Sequence, residues 1–471
     1  MTQSHQSTRA SRAARTTGAA RRLRPAAATA AAAVVGATLW LTAAGSGQAS
    51  PGVAALDPAD SLAAADDALQ TPFEASDGER FTTEPESRRF LRELDEASDR
   101  VTVTRVGRST ERRPIPLVAV GDPAPATRAQ AAEGSVLMYV CSVHGDEPSG
   151  REACLTMARD LSTTTDPAWQ RLLRSTTVLF VLPNPDGWVA DTRGNATGLD
   201  VNRDYLAVSA PESKAVVRTI RDWRPDVLND LHEYGPGEFY ETDLLQLWPR
   251  NRQVDGTLHD LARTMSESYA ADAVTAEGYT SGEYGILVKD GEPFQQVAGD
   301  EQARILRNYA GTQHVVGMLS ETANAPLDAA EEEDPALLNR RRVRVNYLAA
   351  VGSAQFALEN RETLLRETEA ARERVAEEGA SRSGVVYFAG QDDRLPLEDD
   401  DVEPNPMCGY TLTPEQRQQV APTLRLHGVE VTTRGGSPYV SMAQEDQPVV
   451  PLLLDARSEY GIADATPVTD C

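Results

Sequence analysis

His144 and Glu147 stand three residues apart in His144-Gly145-Asp146-Glu147, directly after the apolar run 136–140. At the mouth of a strand, that spacing lets both side chains turn onto one ion. Imidazole nitrogen and carboxylate oxygen are donors that zinc accepts, and a catalytic zinc needs a third protein ligand plus an open position for water. His232 can supply the third donor, because it follows the short apolar run 227–231 and can reach the same sheet edge. Either histidine alone reads as a satisfied core residue; with Glu147 the two read as a metal site. Glu321 follows the run 315–320, where a carboxylate beside a metal can take a proton from water and pass it to a leaving amine. Arg193 and the pair Asn202-Arg203 lie between the ligands. Guanidinium forks bind carboxylates bidentately, and an arginine near a metal can stabilise a developing oxyanion. Asn184-Pro185-Asp186-Gly187 also reads as a plain turn. Asp230, two residues before His232, either orients that ligand or faces away.

The elements that must position these residues follow from apolar periodicity. A hairpin is expected from 101–106 and 115–120, and strands at 136–143, 178–182, 227–231 and 315–319. Continuous apolar runs of this kind suit strands buried on both faces. Helices are expected at 86–94, 149–161, 211–223 and 257–271, with one long charged helix over 337–378. Strands alternating with helices imply an α/β fold with a largely parallel sheet, whose ligand sites gather at strand ends. An acidic stretch at 391–403 marks a boundary. Beyond it, a helix near 413–426 and short strands near 429–433 and 449–454 suggest a small module.

The apolar and charged fractions, 40% and 25%, are ordinary for a globular chain. A formal net charge of −25, from 46 basic and 71 acidic residues, excludes nucleic acid as a natural partner. The first residues carry arginines without acids, then an apolar stretch at 25–44, then Gly47-Gln48-Ala49. This pattern predicts a secretory signal cut after Ala49, with no stable membrane insertion afterwards; the alternative is an uncleaved anchor. The expected organisation is a signal at 1–49, a flexible leader at 50–78, a catalytic domain at 79–380 and an accessory module at 381–471. The expected location is outside the cell, in the medium or on the envelope. Among four cysteines, Cys408 and Cys471 are expected to bridge; Cys141 and Cys154 are either bridged or buried thiols.

Across residues 81–378 the chain resembles the zinc carboxypeptidase (metallocarboxypeptidase) family, as a divergent, secreted, bacterial-type member. The resemblance rests on Val103-Thr-Arg-Val-Gly-Arg-Ser109, His144-x-x-Glu147, Asn184-Pro-Asp-Gly187, Arg193, Asn202-Arg203, His232 and Glu321, in this order. It implies a mixed, mostly parallel eight-stranded sheet flanked by helices, to which this chain adds its small C-terminal module. It implies one Zn2+ held by His144, Glu147 and His232, with Glu321 as general base and acid. Arg193 would polarise the scissile carbonyl, and Asn202 and Arg203 would grip the free C-terminal carboxylate of a peptide substrate. The family's mobile tyrosine is missing at its usual distance before the glutamate. Tyr309, in Arg307-Asn-Tyr-Ala-Gly311, is the first candidate to cover the substrate, ahead of Tyr284. The expected activity is hydrolysis of C-terminal residues from peptides by Glu-promoted attack of water. The alternative is a zinc amidase or deacylase acting on cell-wall peptides or acylated amino acids. A non-catalytic binding module would have lost a ligand or the glutamate, and neither is lost.

Overall fold

A computed structural model describes residues 55–58, 69–125, 127–131, 134–237, 240–289, 292–296, 301–388, 393–395, 402–404 and 406–471. The expected signal at 1–49 lies outside them. Among the described residues ten strands precede the C-terminal region: β1 (Val101–Arg108), β2 (Pro114–Val120), β3 (Ser135–Cys141), β4 (Thr176–Val181), β5 (Val227–Tyr234), β6 (Leu244–Leu247), β7 (Ser281–Glu283), β8 (Ile286–Lys289), β9 (Glu292–Gln296) and β10 (Val316–Ala323). Eight of them form one sheet in the order β1-β2-β4-β3-β5-β10-β6-β7, while β8 and β9 make a separate hairpin. The pairs β3–β4, β3–β5, β5–β10 and β6–β7 are parallel; β1–β2, β2–β4 and β6–β10 are antiparallel. The sheet is therefore the expected mixed one, with a parallel centre.

Alternation along the central strands sends side chains into two apolar layers. Val118, Val120, Leu137, Tyr139, Val178, Phe180, Val227 and Leu231 face one layer, packed with residues of the helices Ser149–Thr163, Pro167–Ser175 and Pro335–Glu359. Leu117, Ala119, Val136, Met138, Val140, Leu179, Val181 and Leu228 face the other, under the helix Pro211–Trp223. Each buried branched side chain contributes about 1.5–3 kcal/mol, so a one-residue slip in β3 would exchange the two layers and forfeit the match on both. The second layer is continuous with Tyr410, Val440, Val450 and Leu453 of the C-terminal region. That region carries a four-stranded antiparallel sheet and is tied by the disulfide Cys408–Cys471. Cys141 and Cys154 are also bridged, joining β3 to the helix that follows it.

Four expectations are corrected. The long helix over 337–378 is two helices, Pro335–Glu359 and Arg361–Ser381. Between them Asn360 leaves helical geometry (φ −102°, ψ 12°) and donates its amide to Phe356 O and Tyr269 Oη. Asparagine competes with the backbone in this way at helix ends. The helix at 257–271 opens into a π turn at Met265–Ala270, which brings the backbone of Tyr269 against Gly352. A Cβ at Gly352 would lie 2.4 Å from Tyr269 O, so only glycine fits there. The run 449–454 is a buried helix, Val449–Leu454, rather than a strand; a short, wholly apolar run carries no period to decide between them. Described parts of the expected flexible leader are packed. Phe73 is buried and stacks on Phe81, Leu56 N donates to Gln355 Oε1, and Thr71 with Glu74 forms a capping box. Among the described residues no helix is long and apolar enough to cross a membrane.

Candidate metal centre and substrate cleft

The site lies at the C-terminal ends of β3, β5 and β10, where an open parallel sheet leaves a crevice. Ser142 takes a left-handed conformation (φ 59°) and turns the chain out of β3. Its hydroxyl accepts from Arg151 N, fixing the start of the next helix. Gly145 then passes so close to the following loop that a Cβ would meet Gly187 C at 1.9 Å. The segment 184–187 shapes this loop: Asn184 donates to Val143 O and accepts from Gly187 N, while Asp186 binds Ser109 Oγ and Glu111 N. His232 sits within β5, which runs three residues past the apolar stretch, and is paired in register with Glu321 of β10. Period-two alternation puts Asp230 on the same face as His232.

Three side chains converge. His144 Nδ1 lies 2.7 Å from Glu147 Oε1, His232 Nδ1 lies 2.8 Å from Glu147 Oε2, and the two Nδ1 atoms are 3.2 Å apart. All three residues are buried and can hold one metal ion. The far nitrogens face carboxylates. His144 donates Nε2–H to Asp200 Oδ1 at 3.1 Å, and His232 Nε2 lies 2.9 Å from Asp230 Oδ2. With both Nδ1 atoms and the Glu147 carboxylate given to a metal, His144 would donate Nε2–H to Asp200, and His232 would turn its Nε2 toward Asp230. Asn346, from the helix Pro335–Glu359, donates to His232 O and Ser149 Oγ and steadies the ligand strand from behind.

The electrostatics call for a cation. Burial alone would push the Glu147 carboxyl up, yet His144 and His232 hold it well below the ordinary range. Burial would lower both imidazoles, but Asp230 and Glu147 raise His232, and Glu147 and Asp200 raise His144. Glu147, Asp200 and Asp230 thus make the pocket favour positive charge, and its nitrogen and oxygen donors fit a divalent ion. Arg193 lies at the edge of the cluster, with Nη1 3.1 Å from His144 Nδ1 and Nε donating to Asp200 Oδ2.

Above the cluster opens a cleft of about 410 Å³, lined by His144, Arg193, Asn202, Arg203, His232 and Glu321, all named from sequence. Burial, together with Glu147, pushes the Glu321 carboxyl up to about 8 against the pull of His232 and His144. Asn202 is pinned, accepting from Leu306 N at 2.9 Å with its amide nitrogen 3.2 Å from His232 Nε2. Arg203 donates to Asn202 O. Tyr309 is not in the cleft: it is fully buried, stacks on Tyr205 and donates its hydroxyl to His427 Nδ1. The short buried helix Leu306–Thr312 carries it into the core, away from the substrate cleft. Tyr284 and Tyr240 line the cleft, ring against ring at 5.3 Å. Asp200 was assigned no role from sequence. It was accessible to the rule that a metal-binding histidine hands its far nitrogen to a carboxylate.

An α/β sheet that brings two histidines and a glutamate together at its strand ends defines a metal-dependent hydrolase type of site. A family model described as zinc carboxypeptidase matches residues 87–326. The chain belongs to the zinc carboxypeptidase family, whose cofactor is zinc. Carboxypeptidase 2 of Trichophyton rubrum is 25% identical over 261 residues, covering 52% of this chain and 48% of that protein. Carboxypeptidase SOL1 of Arabidopsis thaliana is 31% identical over 141 residues, 27% of this chain and 28% of that protein. The chain thus spans about half or less of the length of these curated relatives. A metallo-carboxypeptidase structure from Pseudomonas aeruginosa aligns with a TM-score of 0.43 at 20% identity, over 60% of this chain and 69% of that one.

Proposed function

We propose that this protein is an exported zinc carboxypeptidase that removes residues from the C-terminal end of peptides. The observation that carries the reading is the convergence of His144 Nδ1, His232 Nδ1 and the Glu147 carboxylate beneath a cleft that also presents Glu321, Arg193, Asn202 and Arg203. Zinc, held by His144, Glu147 and His232, supplies Lewis-acid polarisation of a carbonyl and of water. Arg203, with Asn202, holds the terminal carboxylate and so sets the scissile bond one residue from the chain end. Arg193 stabilises the negative charge that develops on the carbonyl oxygen. Glu321 takes the proton of the attacking water and delivers it to the departing amine. A carboxyl raised toward neutrality suits both halves of that task, and a bound cation draws it down into the working range. Two disulfides and the signal-like residues 1–49 support export.

A digest of a peptide library, read by mass, tests the reading. Loss of single residues from the C-terminal end, abolished by chelation and restored by zinc, is expected. Cleavage confined to acylated amino acids or to internal bonds would overturn it.

A further inference from the structure

We propose that the C-terminal region positions the carboxylate grip of the cleft, with His427 as the positioning residue; this rests on the carboxypeptidase reading above. Asn202 and Arg203 lie on the 3₁₀ turn Val201–Arg203, and Arg203 folds back to donate to Asn202 O. A turn that short holds little shape by itself, so its place in the cleft depends on what grips it from outside. Hydrogen bonds to distant segments tie 202–206 in place. Leu306 N donates to Asn202 Oδ1 at 2.9 Å, Tyr205 N donates to Arg304 O at 3.2 Å, and Leu206 O accepts from His427 Nε2 at 2.9 Å. The first two come from the segment 304–306. The third comes from the C-terminal region, where His427 caps the helix Pro414–Leu426. The same region also reaches 304–306: Arg304 Nη2 donates to Tyr460 Oη at 3.1 Å, and its guanidinium lies 3.7 Å from the centre of the Tyr460 ring. Both supports of the Asn202-Arg203 turn are thus held from the C-terminal side.

His427 is fully buried, and Tyr205, Leu206, Leu424 and Val429 belong to one apolar layer around it. A carbonyl only accepts, so Nε2 carries the proton for Leu206 O, and Nδ1 accepts from Tyr309 Oη at 2.9 Å. Loss of the Tyr309 hydroxyl leaves the Nε2–H on Leu206 O. Loss of the imidazole leaves that carbonyl without its donor inside an apolar layer, and the chain just beyond Arg203 must shift to find another. A displacement of about 1 Å is enough to spoil the placing of a substrate.

The test uses the zinc-loaded full chain and one peptide in two forms, with a free C-terminal carboxylate and with a C-terminal amide. Wild type should favour the free acid. H427L should raise KM for the acid by about tenfold and keep kcat within about twofold, because the grip acts alike on bound substrate and transition state. The acid-to-amide ratio in kcat/KM should fall with it. H427Q keeps an N–H donor within reach of Leu206 O and should keep the wild-type KM even where it is less stable. Y460A, at a partly buried position, removes the stack on Arg304 and should raise KM by about threefold. A merely structural role gives the opposite pattern: fewer active molecules lower kcat at constant KM and constant acid-to-amide ratio. That pattern in H427L, or an equal rise of KM in H427L and H427Q, would overturn the role of His427. Should H427L fail to fold, Y460A decides, and an unchanged KM there overturns the positioning role of the C-terminal region. A wild-type acid-to-amide ratio near one would instead remove the carboxypeptidase reading, and this inference with it.

Discussion

Two pairs of buried histidines in this molecule behave in opposite ways. His144 and His232, at the strand ends, are drawn toward the charged form; His314 and His427, on the side facing the C-terminal region, are pushed down to about 4. Burial is nearly complete in all four, so burial is not the difference. The first pair faces Glu147, Asp200 and Asp230. The second has only neutral partners: His314 donates to Glu445 O, and His427 donates to Leu206 O and accepts from Tyr309 Oη. Neutral partners leave the desolvation cost of a charge uncompensated, whereas carboxylates more than offset it. A buried histidine thus becomes a cation site or a structural pin according to what its far nitrogen meets.

The largest effect that can break this contrast is on catalysis. E321Q should lower kcat by about 10²–10⁴-fold while the purified protein keeps stoichiometric zinc. Substantial turnover in that variant would remove Glu321 from its role. D200N weakens the carboxylate behind His144 and should cost about 10–100-fold in zinc affinity, measurable by competition with a chelator; unchanged affinity would mean that the far nitrogen does not matter.

At the second pair the effect appears in stability against pH. The folded state keeps His427 neutral down to about 4, while the unfolded chain protonates near the ordinary 6.5. Unfolding therefore takes up a proton between those values, and stability is lost as pH falls through that window, by up to about 1.4 kcal/mol per pH unit. H427Q should be less stable than wild type at pH 7, and the gap should shrink as pH falls below 6.5. A gap independent of pH would contradict a neutral, buried His427. Y309F should cost only about 1–2 kcal/mol by leaving His427 Nδ1 without its donor. It should leave kcat/KM unchanged, because Tyr309 is outside the cleft.

The convergence of His144, Glu147 and His232, with Glu321 and the arginines in one cleft, and the central strands were legible because chemical type and strand end both leave marks in a single chain. The eight-stranded sheet was legible in kind, but β6 and β7, four and three residues long, carry too few residues to show a period. The break at Asn360 was hidden because the charged periodicity runs on through it on both sides. Tyr309 was misplaced because spacing along the chain says nothing about which way a helix turns its face; here it turns inward, against Tyr205 and His427.

The Cys141–Cys154 bridge spans 13 residues, and His144 and Glu147 both lie inside that span. Two of the three proposed zinc donors therefore lie within one small covalent ring. In an oxidised, unfolded chain that ring would hold them near each other, and any affinity for zinc it kept would reduce the stabilisation the metal gives the folded state.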